Sequence, residues 1–225
     1  MEELVGLEGL EFCRSVRPAD AVGPPWLLAA WDGADQAYLG KVYARWTCMQ
    51  GVEVSLVACK VRVVPTKGLT TPRSELNGLL VMARLVNVIV EAMNEKPARI
   101  ICLGDSECTI SSFECQTATL APYFSNRVAE VLDSFTRLRD QGIEVDPLYW
   151  LPGDQNPADQ GTRANVMAAD IGPESVHQRG PDWMKEPFEV WPTSREFLVK
   201  VPDEEMRKKY CGQFNEVSMK QEAGT

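Results

Sequence analysis

The order of elements readable along the chain predicts an α/β fold on a five-stranded mixed sheet, three antiparallel strands followed by two parallel ones, flanked by helices. Three observations carry this. Apolar residues alternate with polar ones at period two through residues 37 to 61, the mark of half-buried strands. An apolar stripe then recurs at steps of three and four for about six turns, which only a helix explains. Beyond residue 97, short apolar runs alternate with helical patterns, the order expected of parallel crossovers in one sheet.

Residues 1 to 25 are mixed and end in Val22-Gly23-Pro24-Pro25, an irregular lead-in. Trp26 to Trp31 is a compact apolar run read as a buried strand, ended by Asp32-Gly33. Residues 37 to 46 place Tyr38, Gly40, Val42, Ala44 and Trp46 on one face and Lys41 and Arg45 on the other. Val52, Val54, Leu56 and Ala58 continue at period two, with Met49-Gln50-Gly51 as the hairpin turn. Thr71 then caps a helix whose first residue is Pro72, and Leu76, Leu80, Ala83, Val86, Val90 and Met93 form its stripe. Ala98 to Leu103 is the fourth strand, closed by Gly104-Asp105-Ser106. A helix following Asp105 reaches about Cys115, and another runs from Asn126 to Arg139 until Gly142 stops it. Ile143 to Trp150 is the fifth strand, and Pro157 opens a final helical turn carrying Asp159.

After about residue 165 the texture changes. Gly172-Pro173, Gly180-Pro181, Pro187 and Pro192 punctuate it, with Trp183 and Trp191 as apolar anchors. The expected organisation is a lead-in at 1–25, a folded domain at 26–164, an extension packed on it at 165–192 and a frayed tail or linker at 193–225.

Bulk properties narrow the function. Of 225 residues 44% are apolar and 24% charged, enough for a core that needs no staples. Seven cysteines without a C-x-x-C pair, and His177 as the lone histidine, argue against a Cys/His zinc site and for a reduced compartment. No apolar run approaches a membrane span, and Glu2 and Glu3 do not suit a signal peptide. A soluble piece of a longer chain is expected. The net charge of −9 opposes indiscriminate nucleic-acid binding. It is offset locally by Lys60, Arg62, Lys67 and Arg73, a stretch from 60 to 73 containing no acid.

Four acids stand at element boundaries: Asp32, Glu75, Asp105 and Asp159. Singly, each has an ordinary explanation. Asp32 can start a turn with Gly33, Glu75 and Asp159 suit first helical turns, and Asp105 can cap the helix after it. Their spacings of 43, 30 and 54 residues separate them in sequence. A sheet with the first and fourth strands adjacent would gather them. Such a cluster repels itself unless a cation is bound, and hard oxygen ligands favour Mg²⁺. No Ser/His/Asp, Cys/His, P-loop or dinucleotide-binding pattern competes.

A series of motifs then resembles the ribonuclease H domain of BEL/Pao-type long-terminal-repeat retrotransposons. The segments are Trp31-Asp32-Gly33-Ala34-Asp35-Gln36-Ala37-Tyr38, the run from Leu69 to Gly78, Gly104-Asp105-Ser106-Glu107, Asn126-Arg127-Val128-Ala129-Glu130 and the run from Gly153 to Asp159. Ile171 to Val176, Gly180-Pro181-Asp182-Trp183 and Trp191-Pro192 complete it, so the likeness runs from about residue 8 to 192.

The resemblance implies a ribonuclease H-like fold and cleavage of the RNA strand of RNA/DNA hybrids during reverse transcription. It implies two Mg²⁺ ions, replaceable by Mn²⁺, held by Asp32, Glu75, Asp105 and Asp159. Asp32 would bridge both ions, Asp159 complete the one that activates water, and Glu75 and Asp105 hold the one facing the leaving oxygen. Ser106, Asn77, Arg73 and Arg127 are the expected substrate contacts. Partners are the hybrid and the reverse transcriptase and integrase parts of the same polyprotein, with no membrane. The location implied is intracellular, in a cytoplasmic virus-like particle. The chain departs from the pattern in lacking a histidine within Tyr149-Trp150-Leu151-Pro152 and a basic protrusion, since Arg127 is the only cation from Thr117 to Phe135. Weak activity of the isolated domain is therefore expected. The rival expectation is an inactive structural domain supporting reverse transcriptase or integrase.

Overall fold

The computed structural model describes residues 9–163, 167–196 and 200–207. Its centre is one five-stranded sheet in the order β3-β2-β1-β4-β5. The strands are β1 (Trp26–Gly33), β2 (Ala37–Cys48), β3 (Gly51–Val63), β4 (Arg99–Gly104) and β5 (Glu144–Trp150). β1 pairs antiparallel with β2 and parallel with β4, so the chain direction changes across β1. β2 and β3 are antiparallel, and β4 and β5 parallel. This is the mixed sheet expected from the element order.

The long helices are α1 (Thr71–Ala92) and α3 (Pro122–Asp140), with the short α2 (Glu107–Ser112) between them. They cover one face of the sheet. Leu76, Leu79, Met82, Ala83 and Val86 of α1 and Phe124, Val128 and Val131 of α3 bury against Leu27, Ala29, Trp31 and Cys102. Arg84 reaches from α1 to Glu130 of α3 through two hydrogen bonds of 2.6 and 3.0 Å.

The opposite face carries Leu28, Ala30, Leu39, Tyr43, Ile101 and Leu103. No long helix covers it among the described residues; the chain after β5 does. Met184 and Trp191 bury there with Leu151 and Ala158, and Trp183, Phe188 and Tyr149 pack at the edge. Arg45 ties this layer down by donating to the carbonyls of Met184 (2.8 Å) and Glu186 (3.1 Å) while stacking over Trp26. Turns thus replace the second helical layer, because their aromatic side chains cover apolar strand positions that would otherwise meet water. His177 lies half-buried in the turn α4 (Val176–Arg179), where its carbonyl accepts from the Tyr43 hydroxyl at 3.0 Å.

Several boundaries differ from the expectation. The cap of α1 is Thr70, one residue early, so Thr71 and Pro72 are both helical and Glu75 sits at the start of the second turn. α2 ends at Ser112, short of Cys115, and α3 begins at Pro122, before Asn126, since proline suits the first helical position. Pro147 stands inside β5, which tolerates it as an edge strand with a register shift opposite Ile100 and Cys102. From residue 208 onward the expected tail lies outside the described residues. Before it, Val201 to Arg207 packs beside α3: Glu205 accepts from Ala121 N at 2.7 Å and Arg207 N donates to Thr119 O at 2.8 Å. No helix among the described residues is long and apolar enough to cross a membrane.

Candidate functional site

β1 and β4 run side by side and end together. Their parallel register pairs Leu28 with Ile101 and Ala30 with Leu103. Two residues further along come Asp32, within β1, and Asp105, the first residue past β4, so the two acids stand at the ends of neighbouring strands. Asp32 is 9% exposed.

Glu75 arrives from the helical face, and small residues set how closely. A Cβ on Gly33 would stand 2.3 Å from Glu75 N, and one on Gly78 2.4 Å from the Asp32 carbonyl oxygen. The backbone of α1 therefore lies directly against the end of β1. Ser74 secures the contact, donating to the Ala34 carbonyl at 2.7 Å.

Asp159 comes from the turn after β5, Asp159–Thr162. Its placement depends on Asn156, which is buried and donates to the Trp31 carbonyl (3.0 Å) and to Asp105 Oδ1 (3.2 Å). The Asn156 side-chain oxygen accepts from Ala158 N at 3.0 Å, which starts the turn. Buried Lys41 fixes the same loop, donating to the Pro157 carbonyl at 2.9 Å. Thr162 Oγ1 lies 2.5 Å from Asp32 Oδ2 and 2.9 Å from the Asp159 carbonyl, and Arg163 pairs with the Asp159 carboxylate.

Electrostatics link the acids. Burial first, then the charges of Asp105 and Asp32, push the Glu75 carboxyl up to about 7, against the opposing hydrogen bond from Ser106. Burial and then Asp32 push Asp105 up to about 6, with a smaller contribution from Asp159. Glu75 and Asp105 thus feel neighbouring acids as like charges, which is the condition that a divalent cation relieves.

Asp105 is not the helix cap. Ser106 takes that role, accepting from Thr109 N at 3.1 Å and donating to Glu75 Oε2 at 2.6 Å. The acid next to it is left free of capping, with its backbone carbonyl held by Trp150 Nε1 at 2.9 Å. The other expected substrate contacts are also engaged within the protein. Asn77 donates to the Tyr123 hydroxyl (2.9 Å) and accepts from Arg127 Nε (2.7 Å), while Arg127 stacks 3.6 Å over the Tyr123 ring. Arg73 pairs with Glu205, a buried carboxylate from the C-terminal segment.

Sequence reasoning missed Thr162 and Arg163. Their spacing of three and four residues from Asp159 was a readable signal, since it puts them on one side of a turn. It also missed Asp20, Cys48 and Glu53, whose ligand atoms all lie within 4.8 Å of one another, the only such trio among the described residues. Nothing in their sequence spacing announces it: the isolated bridge between Ala21 and Cys48 makes it. Burial, Asp20 and Glu53 raise the Cys48 thiol, which disfavours the thiolate a metal would need. Asp32, Glu75, Asp105 and Asp159 are spread more widely than that trio.

Residues 1–106 match the family described as Pao retrotransposon-like RNaseH-like domain, a range that includes Asp32, Glu75 and Asp105. No curated protein matches the chain. Solved structures that match include the N-terminal RNase H domain of a Mycobacterium tuberculosis protein, fused to maltose-binding protein, at 13% identity and TM-score 0.42, covering 59% of this chain and 86% of that one. RNase H1 of Halobacterium salinarum matches at 13% identity and TM-score 0.35 (58% and 86%), and RuvC of Thermus thermophilus at 14% and 0.33 (71% and 87%).

Proposed function

Since residues 1–106 match the family described as Pao retrotransposon-like RNaseH-like domain, we propose that the chain cleaves the RNA strand of RNA/DNA hybrids with Asp32, Glu75, Asp105 and Asp159 as its catalytic carboxylates. The observation that carries the reading is the close approach of Glu75 on α1 to the end of β1, beside the paired ends of β1 and β4, where burial and then neighbouring acids raise both Glu75 and Asp105. Isolated structural acids have no reason to be gathered so.

The donor set fits hard divalent cations: all four groups are carboxylates, with no thiol or imidazole among them. Two bound Mg²⁺ ions, or Mn²⁺, would activate a water and stabilise the leaving oxygen of a phosphodiester. The chain's own residues do the positioning. Asn156 and Thr162 orient Asp105 and Asp32, and Ser106 orients Glu75. Arg163 pairs with Asp159 Oδ2, so Oδ1 is the oxygen that would serve an ion. Asn77, Ser106, Arg73 and Arg127 border the Glu75 side, where a hybrid's minor groove and its 2′-hydroxyls would lie. The reverse transcriptase and integrase parts of a shared polyprotein are the partners this reading implies.

The test is cleavage of a labelled hybrid in Mg²⁺ by the wild-type chain and by Asp105→Asn. The variant is expected to lose about 1000-fold in rate, equivalent to ~4 kcal/mol of barrier. Equal rates would refute the assignment, and absence of cleavage by the wild type would favour a structural domain.

A further inference from the structure

Resting on that reading, we propose that Lys60, Arg62 and Lys67, at the open edge of the sheet beside the carboxylate site, hold the phosphate backbone of the duplex. The chain faces a problem of charge. It carries a net −9, and its site gathers four carboxylates, so a polyanionic substrate needs cations nearby to approach at all. Three cations on the α1 and α3 side are committed: Arg127 to Asn77 and Tyr123, Arg73 to Glu205, Arg84 to Glu130.

The opposite side is different. From residue 54 to 74 there are four cations and no acid. Lys60, Arg62 and Lys67 are exposed, and none pairs with a carboxylate among the described residues. Asp35, in the turn between β1 and β2, is the acid that sequence and register place nearest to them.

Register puts these cations at the correct end of the sheet. Arg62 pairs with Tyr38, and Tyr38 pairs with Gly33, the residue after Asp32. Two strand spacings, about 10 Å, therefore separate Arg62 from the end of β1. That is about three nucleotides along one strand of a duplex. Lys60 pairs with Gly40, whose missing Cβ would meet the Met82 backbone, so Lys60 and Arg62 rise on the α1 face, the face from which Glu75 comes. Lys67 lies in the connection leading into α1. Lys60 and Arg62 thus stand on the edge strand and Lys67 follows them toward α1, and because β3 is an edge strand nothing in the sheet stands outside them. A row of exposed cations with no base-reading geometry suits backbone recognition, independent of sequence.

The test compares two triple variants of equal charge. One is Lys60→Gln/Arg62→Gln/Lys67→Gln; the control is Arg14→Gln/Arg137→Gln/Lys200→Gln, three exposed cations elsewhere. Affinity for an RNA/DNA hybrid is measured in Ca²⁺ across a salt series, with cleavage in Mg²⁺ and thermal melting alongside. The edge variant is expected to bind at least about tenfold more weakly than the control, with a salt slope flatter by about 2–3. Melting should be unchanged. Equal affinity and slope in the two variants would overturn the proposal, as would a wild type that does not bind the hybrid. If the wild type binds but does not cleave in Mg²⁺, the catalytic reading fails while the grip is judged on affinity alone.

Discussion

Gly33 lies so tightly under Glu75 that a Cβ at Gly33 would stand 2.3 Å from the Glu75 backbone nitrogen. The catalytic candidate on α1 is therefore set by a glycine on β1. Gly33→Ala should shift α1 away from the sheet end, destabilising the fold by about 3 kcal/mol and reducing cleavage more than Gly172→Ala, whose Cβ would meet nothing nearer than the Ala169 carbonyl oxygen at 3.5 Å. Urea unfolding and single-turnover cleavage check both. A Gly33→Ala chain as stable and active as wild type would show that the close approach is dispensable.

The raised carboxyls predict a pH dependence. Glu75 at about 7 and Asp105 at about 6 must lose protons to serve as ligands, so cleavage should rise with pH from about 5.5 to 7.5. The sign for stability is opposite. A carboxyl raised in the folded state favours folding while protonated, so its contribution is lost as pH climbs through the folded value. Glu75→Gln should accordingly melt higher than wild type near pH 8 in EDTA and differ little near pH 4. A reversed order would mean that Glu75 is stabilised by its surroundings when ionised.

Metal binding should register as stability. At Mg²⁺ a hundredfold above its dissociation constant, the gain is about 2.7 kcal/mol for one site. Asp32→Asn/Asp105→Asn should abolish the rise in melting temperature, whereas Asp20→Asn should leave it intact. If Asp20→Asn removes it instead, the ion sits at the Asp20, Cys48 and Glu53 trio.

Asn156 is predicted to matter beyond stability. Its amide holds both the Trp31 carbonyl and Asp105 Oδ1. Asn156→Ala leaves buried partners unmatched at a cost of about 1–3 kcal/mol and frees the Asp159 turn. Cleavage should fall while hybrid affinity, read by anisotropy in Ca²⁺, stays within a few-fold. A loss of affinity equal to the loss of rate would assign Asn156 to substrate binding.

By itself the sequence determined the element order. Period-two alternation from Tyr38 to Ala58, the stripe from Leu76 to Met93 and the apolar run before Asp105 are local patterns, and each reports a buried face within a few residues. The same patterns located all four acids at strand and helix ends. Tertiary structure decided what surrounds them. That Ser106 donates to Glu75, that Asn156 bridges Trp31 and Asp105, and that Glu205 takes up Arg73 each join residues tens to more than a hundred positions apart. So does the replacement of a second helical layer by Met184 and Trp191. Periodicity cannot encode such contacts, because they depend on how closely two backbones approach. Here that approach is set by the side chains missing from Gly33, Gly40 and Gly78.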